Sequence, residues 1–421
     1  MRILLLTQVL PYPPDAGARV KLWSTLRHLT EYGHHVTLMS FVRREEERHL
    51  PVVEALCERV VAVSLRRSRA VDLAAWCRSH LSSRPFLVER DDAPAMRRAV
   101  EAVRRERDFD ILHADQLTMT QFLSPPAASG GGPLRVFDAH NATWTIVNRS
   151  GARAAPLIRP LLALEAARLR RYEGQIVRSF DLTVAVTDHD RTDLLEAARG
   201  HGRVSQMPRI RVVPITVDTQ DLQPLDRRPE PGALLTLGSL HYAPNADGIR
   251  WFLHEVLPRV RQAVPGARLS IVGKNPPRDI RRMAQLSPEV VSVKGYVADL
   301  TPLLQRTAVM VVPVLAGSGM RVRILEGLAR AMPIVTTTIG LEGIDARVGL
   351  DLLVADSPED FAAAVVALLR DPERQRRLGA TGRQLVEDRY DRRKVLGRLE
   401  EAYQEAIAAR IEPSASSVIA R

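Results

Sequence analysis

The feature that most constrains this chain is a series of short apolar runs that do not alternate. ILLLTQV (3–9), VTLMSF (36–41), VVAVSL (60–65), ILHA (111–114), RVFDAH (135–140) and LTVAVT (182–187) are apolar or β-branched on both faces. Strands buried on both faces belong to a parallel sheet covered by helices. The stretches between them follow a 3.6-residue period. In VKLWSTLRHLTEYG (20–33), Leu22, Leu26 and Leu29 share a face and Gly33 stops the helix. The pattern restarts after residue 231 with ALLTLGS (233–239), RLSIVG (268–273), VVSVKGY (290–296), VMVVPV (309–314), PIVTTT (333–338) and DLLVAD (351–356). Helical stretches are predicted at 246–263, 320–331 and 358–370. The reading is two doubly wound α/β domains, 1–222 and 232–389, joined by the Pro- and charge-rich segment 212–232. A helical stretch over 371–411 is long enough to cross back, its part from about 390 to 411 packing on the first domain. SPPAASGGGP (124–133) reads as a surface loop and 412–421 as a disordered tail.

Composition narrows the class. With 45% apolar and 26% charged residues the chain is an ordinary globular protein, which excludes disordered, collagen-like and coiled-coil classes. Cys57 and Cys77 cannot build a disulfide framework or a thiolate zinc site, and both are expected as buried thiols of a reducing cytosol. The start MRILLLTQVLPYPPD carries too short an apolar stretch for a signal peptide and reads as a buried first strand of a cytoplasmic protein. The formal charge of +11 is unevenly spread. Residues 59–107 carry 12 Lys/Arg against 6 Asp/Glu, and residues 149–178 carry 7 against 2. Solvated faces, an acidic membrane surface and an anionic acceptor all fit such a surplus. Duplex nucleic acid is disfavoured, because no helix-turn-helix, zinc or aromatic-basic module accompanies the charge. In the second basic stretch, Leu161, Leu164, Ala167 and Leu169 face either acyl chains or the core.

In doubly wound domains, ligands bind outside the carboxyl ends of the strands. Gly17 follows the first strand and opens a helix, where a ligand can approach free amide groups. His140 and Asn141 end the strand RVFDAH, and Asp138 shares the face of His140. The densest segment is PVLAGSGMRVRILEGLARAMPIVTTTIGLEGI (313–344). Gly317, Ser318 and Gly319 leave room for backbone amides to face a diphosphate, and the helix opening near Met320 adds its partial positive charge. Arg321 and Arg323 supply full charges. Glu326 lies one and a half turns further and can accept hydrogen bonds from both hydroxyls of a ribose. Asp108/Asp110 and Asp188/Asp190 have the Asp-x-Asp spacing of metal-dependent transferases, but read as boundary residues, Asp188 as a helix N-cap. No essential metal or other cofactor is expected.

These residues resemble a GT-B-fold glycosyltransferase of family 4 (group 1), with two Rossmann-like domains facing across a cleft. The resemblance runs over nearly the whole chain, through MRILLLTQVLPYPPDAGA, EYGHHVTL, FDILHA and DLTVAVTDHDRTDLL, then GSLHYAPNADGIRWFLHEVLPRVRQAVPGARLSIVGKNPP and VKGYVADLTPLL. It is similar above all to a bacterial branch serving exopolysaccharide and cell-surface sugar assembly. The resemblance implies a retaining transfer from a nucleotide-diphosphate sugar to a saccharide or lipid-linked acceptor. The family's Glu-x7-Glu element ends at Glu326, which would hold the ribose, while its first Glu falls on Ser318 near the donor sugar. Gly319, Met320 and the following amides would bind the diphosphate. Gly238, Ser239 and Lys274 would line the donor site, with Tyr296 and Val297 against the base. Gly17 and His140 fall at the family's acceptor-side glycine and cleft histidine, next to Asp138 and Asn141. The usual basic pair after the second domain's first strand is absent from GSLHYAPN (238–245), and Arg321 and Arg323 are candidates to replace it in stabilising the leaving diphosphate.

Other readings are a UDP-N-acetylglucosamine 2-epimerase-like enzyme of the same fold, a periplasmic-type sugar-binding protein, and an inactive GT-B scaffold. The first needs paired cleft carboxylates that the sequence does not display. The second needs a signal peptide. The third is kept open by Ser318.

Overall fold

A computed structural model describes residues 1–65, 67–123, 132–200, 207–317 and 319–411, with the side chains of 152, 153 and 411 excepted. The predicted tail 412–421, most of the predicted loop 124–133 and Ser318 lie outside the described residues. The chain divides into two compact units, Met1–Pro214 with the segment from Val395 onward, and Ile215–Lys394. The sequence placed the first boundary at 222. In the structure Val217 to Thr219 already belong to the second unit: Val217 N bonds Tyr390 O, and Thr219 is held by the Asp391 carboxylate.

The first unit is a seven-stranded sheet of β1 (Arg2–Thr7), β2 (His35–Val42), β3 (Arg59–Ser64), β4 (Ile111–Asp115), β5 (Leu134–Ala139), β6 (Leu182–Ala185) and β7 (Ile210–Val212), in the order β3-β2-β1-β4-β5-β6-β7. Every neighbouring pair is parallel. β7 escaped the sequence reading because it is a short edge strand with the exposed Arg211 at its centre, so no apolar run marks it. Leu22, Leu26 and Leu29 of helix Gly17–Glu31 are buried as the 3.6-residue spacing requires. They share one core with Ile3, Leu5, Val36 and Leu38 of the sheet and with Val395, Leu396, Leu399 and Tyr403 of helix Arg392–Ile411. That last helix therefore completes the first unit. The single stretch expected over 371–411 is two helices, Pro372–Arg389 and Arg392–Ile411. The break falls where Asp391 turns its carboxylate to Thr219 and to its own neighbour Arg393 N (3.0 Å), local bonds that compete with helix continuation.

The second unit is a six-stranded sheet of β8 (Ala233–Leu237), β9 (Arg268–Val272), β10 (Val291–Gly295), β11 (Val309–Val312), β12 (Ile334–Thr336) and β13 (Leu353–Val354), in the order β10-β9-β8-β11-β12-β13. It too is parallel throughout. Helix Ala243–Trp251 runs through a wider π turn at Phe252–Val256 into Leu257–Ala263. The wide turn precedes Pro258, which has no amide hydrogen to continue the ordinary ladder.

Two expectations about thiols need correction. Cys77 is exposed, because helix Arg69–Ser82 buries only Ala75 and Ser79, and Cys57 is only partly buried. Burial pushes the Cys57 thiol up to about 12, so it is unreactive at neutral pH. Among the described residues no helix is long and apolar enough to cross a membrane.

Candidate functional site

In the second unit the strand order reverses between β8 and β11, which makes the carboxyl ends of these two strands the binding crevice of a doubly wound sheet. The loop after β8 carries Gly238 and Ser239. The loop after β11 carries Pro313 to Gly319 and leads into helix Val322–Ala329, whose N-terminal residue Arg321 makes no side-chain cap. Gly317 and Gly319 both have positive φ (119° and 80°), the conformation that glycine adopts without strain and that folds this loop. Arg321 folds back over the loop, donating from Nη1 to Gly319 O at 2.6 Å, with its Nη2 beside Gly317. Arg323 reaches the loop after β8. Its Nη1 and Nη2 both donate to Asn245 Oδ1, at 3.0 and 3.1 Å, and Asn245 Nδ2 donates to Ser239 O at 3.1 Å. A Cβ on Gly238 would lie 2.5 Å from Arg323 Nη1, so the glycine makes room for the guanidinium.

The electrostatics are unusual for a pair of cations. Burial pushes the Arg323 guanidinium down to about 10, and Arg321 beside it adds to the effect. Burial also lowers Arg321, opposed by Tyr242 and Glu342. Glu326, in the second turn of the helix, is pushed up to about 7 by burial, with only Arg330 acting the other way. Near neutral pH its carboxyl is therefore divided between the acid and the carboxylate. The loops after β9 and β10 stand alongside on the same sheet edge. Lys274 lies over the Tyr296 ring, 4.5 Å from its centre, Tyr296 is exposed, and Val297 is half-buried. Met320 is buried.

In the first unit the reversal falls between β1 and β4. Asp115 ends β4, and Asp138 and His140 sit at the end of β5. His140 Nε2 lies 2.7 Å from Asp115 Oδ1, and Asp115 Oδ2 is buried without a hydrogen-bond partner. Asp138 was expected to face the acceptor. It is instead buried in an ion pair with Lys21, with His113 Nε2 at 3.5 Å. Burial would raise the Asp138 carboxyl, but Lys21 and the two histidines hold it well below the usual carboxylate range. His113 Nδ1 lies 2.6 Å from the Tyr403 hydroxyl, so the returning helix closes the far side of this network. Gln116, next to Asp115, has φ 72° and ψ 157°, a conformation rare outside glycine. Gly17 opens its helix after an extended Ala16 that makes no side-chain cap, and Asn141 is half-buried.

Among the described residues, Asp115, Asp138 and His140 form the one group whose ligand atoms converge enough for a metal, all within 4.8 Å. Lys21 already supplies a positive charge to Asp138. The Asp-x-Asp pairs are elsewhere: Asp110 accepts Arg2 N, and Asp190 accepts Ala142 N and the Thr187 hydroxyl. Thr187, rather than Asp188, caps helix Asp188–Arg199. Sequence reasoning missed Asn245, Lys21, His113, Asp115 and Tyr403. The string FDILHAD puts His113 and Asp115 on one strand face and could have flagged both. Nothing local connects Tyr403 to them.

Residues 231–371 match the family model described as "Glycosyl transferases group 1". An uncharacterized 44.6 kDa protein in the cps region of Klebsiella pneumoniae is 20% identical over 405 residues, covering 94% of this chain and 97% of that protein. Among solved structures, sucrose-phosphate synthase from Thermosynechococcus elongatus superposes with a TM-score of 0.70 at 15% identity, covering 97% of this chain and all of that one. HepE from Anabaena, in complex with UDP and glucose, gives 0.64 at 13% identity over 96% of this chain and all of that one. TarM gives 0.67 at 10% identity, over 96% and 98% of the two chains. With two parallel doubly wound sheets the chain has the GT-B fold of these structures, and its residues 231–371, within the second unit, are similar to the group 1 glycosyl transferases.

Proposed function

We propose that the protein is a retaining glycosyltransferase that moves a sugar from a nucleoside-diphosphate donor to a saccharide or lipid-linked acceptor, in capsule or exopolysaccharide assembly. One observation carries the reading: two guanidiniums and a positive-φ glycine loop meet at the strand reversal of the second unit, and the helix that follows carries the half-buried Glu326 in its second turn. That set matches a nucleoside diphosphate, with Arg321 and Arg323 at the diphosphate and Glu326 at the ribose. As the glycosidic bond breaks, charge develops on the leaving phosphate oxygen, and preorganised cations there lower the barrier. The first unit would receive the acceptor, with His140 held in one orientation by Asp115. The relative from a cps region supports the polysaccharide context. Incubation with UDP-, GDP-, ADP- and TDP-sugars and a bacterial lipid extract tests this. Donor-dependent glycosylation of an acceptor with retained anomeric configuration is the expected result, and inversion or absence of turnover with every donor overturns it.

We propose further that turnover needs no metal. The carboxylate pair closest to a metal-binding geometry already has the Lys21 ammonium beside it. Activity should survive EDTA, and loss restored by Mg²⁺ or Mn²⁺ would reject this. A peripheral location at the inner face of the cytoplasmic membrane is also proposed. Leu161 and Leu164 are exposed on helix Arg159–Ser179 whereas Leu169 is buried. Leu157 and Ile158 lie exposed just ahead of that helix. Arg168 Nη1 donates to Ser79 Oγ (3.2 Å) on helix Arg69–Ser82, which exposes Leu73, Trp76 and Leu81. Exposed apolar side chains on two adjacent basic helices suit an anionic bilayer, where each Lys or Arg adds ~1 kcal/mol. Co-sedimentation with phosphatidylglycerol vesicles at low salt is expected, weakened by Leu161→Ser with Leu164→Ser. No sedimentation at low salt leaves a solubilising arginine coat.

A further inference from the structure

Arg323 carries its charge in a setting that offers it almost nothing. Its Nε is buried without a hydrogen-bond partner. Its nearest charged neighbour is another cation, Arg321, and among the described residues no carboxylate pairs with it. Its Nη1 and Nη2 share one neutral acceptor, Asn245 Oδ1. The amide of Asn245 is itself oriented, because Nδ2 donates to Ser239 O and so turns Oδ1 toward the guanidinium. Structural arginines in such surroundings are normally matched by a carboxylate, since a guanidinium and a carboxylate fit as a fork. Here the first turn of helix Ala243–Trp251 presents the uncharged isostere of that carboxylate, and Gly238 keeps the approach to Nη1 open.

We propose that Asn245 is a positioning residue of the donor site: it aims the Arg323 guanidinium while leaving its charge unneutralised, so that the charge is available to the diphosphate of the donor. The inference rests on the nucleoside-diphosphate reading above and deepens it. A guanidinium has five N–H donors, and two of them are used on Asn245. The remaining N–H groups and the full positive charge are left for an anion. An aspartate in place of Asn245 would keep the shape and both hydrogen bonds to the guanidinium, would give up the one that Nδ2 donates to Ser239 O, and would satisfy the charge internally. The site would then be more stable and less able to bind an anion. The low value of the Arg323 guanidinium agrees with a cation that lacks a counter-charge.

The test is Asn245→Asp in the full chain, with Asn245→Ser beside it. Thermal unfolding without ligand is compared with calorimetric binding of UDP, GDP, ADP and TDP, of the matching nucleosides, and of inorganic pyrophosphate. The parent is expected to bind at least one nucleoside diphosphate, with pyrophosphate competing. Asn245→Asp should raise the unfolding temperature while weakening that nucleoside diphosphate and pyrophosphate at least tenfold, with nucleoside binding unchanged. Asn245→Ser, which loses the shared acceptor geometry, should weaken diphosphate binding without the gain in stability. Diphosphate binding by Asn245→Asp within twofold of the parent overturns the proposal. If that variant does not fold, parent-like binding by Asn245→Ser overturns it instead. A parent that binds none of the four diphosphates overturns the functional reading itself.

Discussion

Replacing Glu326 by Gln should make the second unit more stable at neutral pH, and the size of the effect follows from the carboxyl's surroundings. Burial raises Glu326 from 4.5 to about 7, and Arg330 alone opposes it. Between those pH values the folded protein holds a proton there that the unfolded chain has released. Stability therefore falls as pH rises from about 4.5 to about 7, and the loss is complete above that range. A shift of about 2.5 units corresponds to about 3 kcal/mol at 1.36 kcal/mol per unit. The amide of Glu326→Gln has no proton to lose, so the variant's stability lacks this slope. The assay is urea unfolding of the parent and of Glu326→Gln at several pH values between 4.5 and 8. The first unit is common to both, so its contribution cancels in the difference. The variant should gain about 3 kcal/mol on the parent across the range, and a difference independent of pH would refute the assigned burial of the carboxyl. The same group predicts the cost to function. A ribose binds the carboxylate form, so nucleotide affinity of the parent should rise with pH up to about 7, and that dependence should vanish in the variant.

Further expectations concern the packing around both sites. Asp138→Asn leaves the buried Lys21 ammonium without its counter-charge and should cost about 3–5 kcal/mol in the first unit, measured by chemical denaturation. Tyr403→Phe removes only the hydroxyl on His113 Nδ1 and should cost about 1 kcal/mol, with its partner left buried and unsatisfied as the reason for any larger value. Two glycines separate packing from binding. A Cβ on Gly248 would lie 1.9 Å from Pro313 O, backbone that cannot yield, so Gly248→Ala should unfold the second unit or lower its melting temperature steeply. A Cβ on Gly238 meets first the end of the flexible Arg323 side chain, so Gly238→Ala should fold with modest loss while weakening diphosphate binding in calorimetry.

Much of this protein was legible in its sequence because burial leaves a periodic mark. Strands covered on both faces cannot carry polar alternation, so the inner strands were visible as apolar runs; the edge strands β3 and β10 are only partly buried and were visible from their β-branched residues, while among the described residues only the edge strand β7, with Arg211 at its centre, left no such run. The face shared by Leu22, Leu26 and Leu29 followed in the same way from the helical period. The glycine loop, the two arginines and Glu326 could be picked out because they are close in the chain and sit on a strand–loop–helix connection, where doubly wound sheets bind ligands. What the sequence could not supply were partnerships across long separations. Asp138 looked like a group facing a ligand, yet Lys21, 117 residues away, holds it in the interior. Tyr403 reaches His113 over 290 residues, because the last helix returns to complete the first unit. Asn245 lies 78 residues from Arg323, and only the adjacency of β8 and β11 brings the amide onto the guanidinium. Local periodicity fixes which residues are covered, since it depends on neighbours a few positions away. Which charge meets which partner is decided by strand order, and that is a property of the whole chain folded.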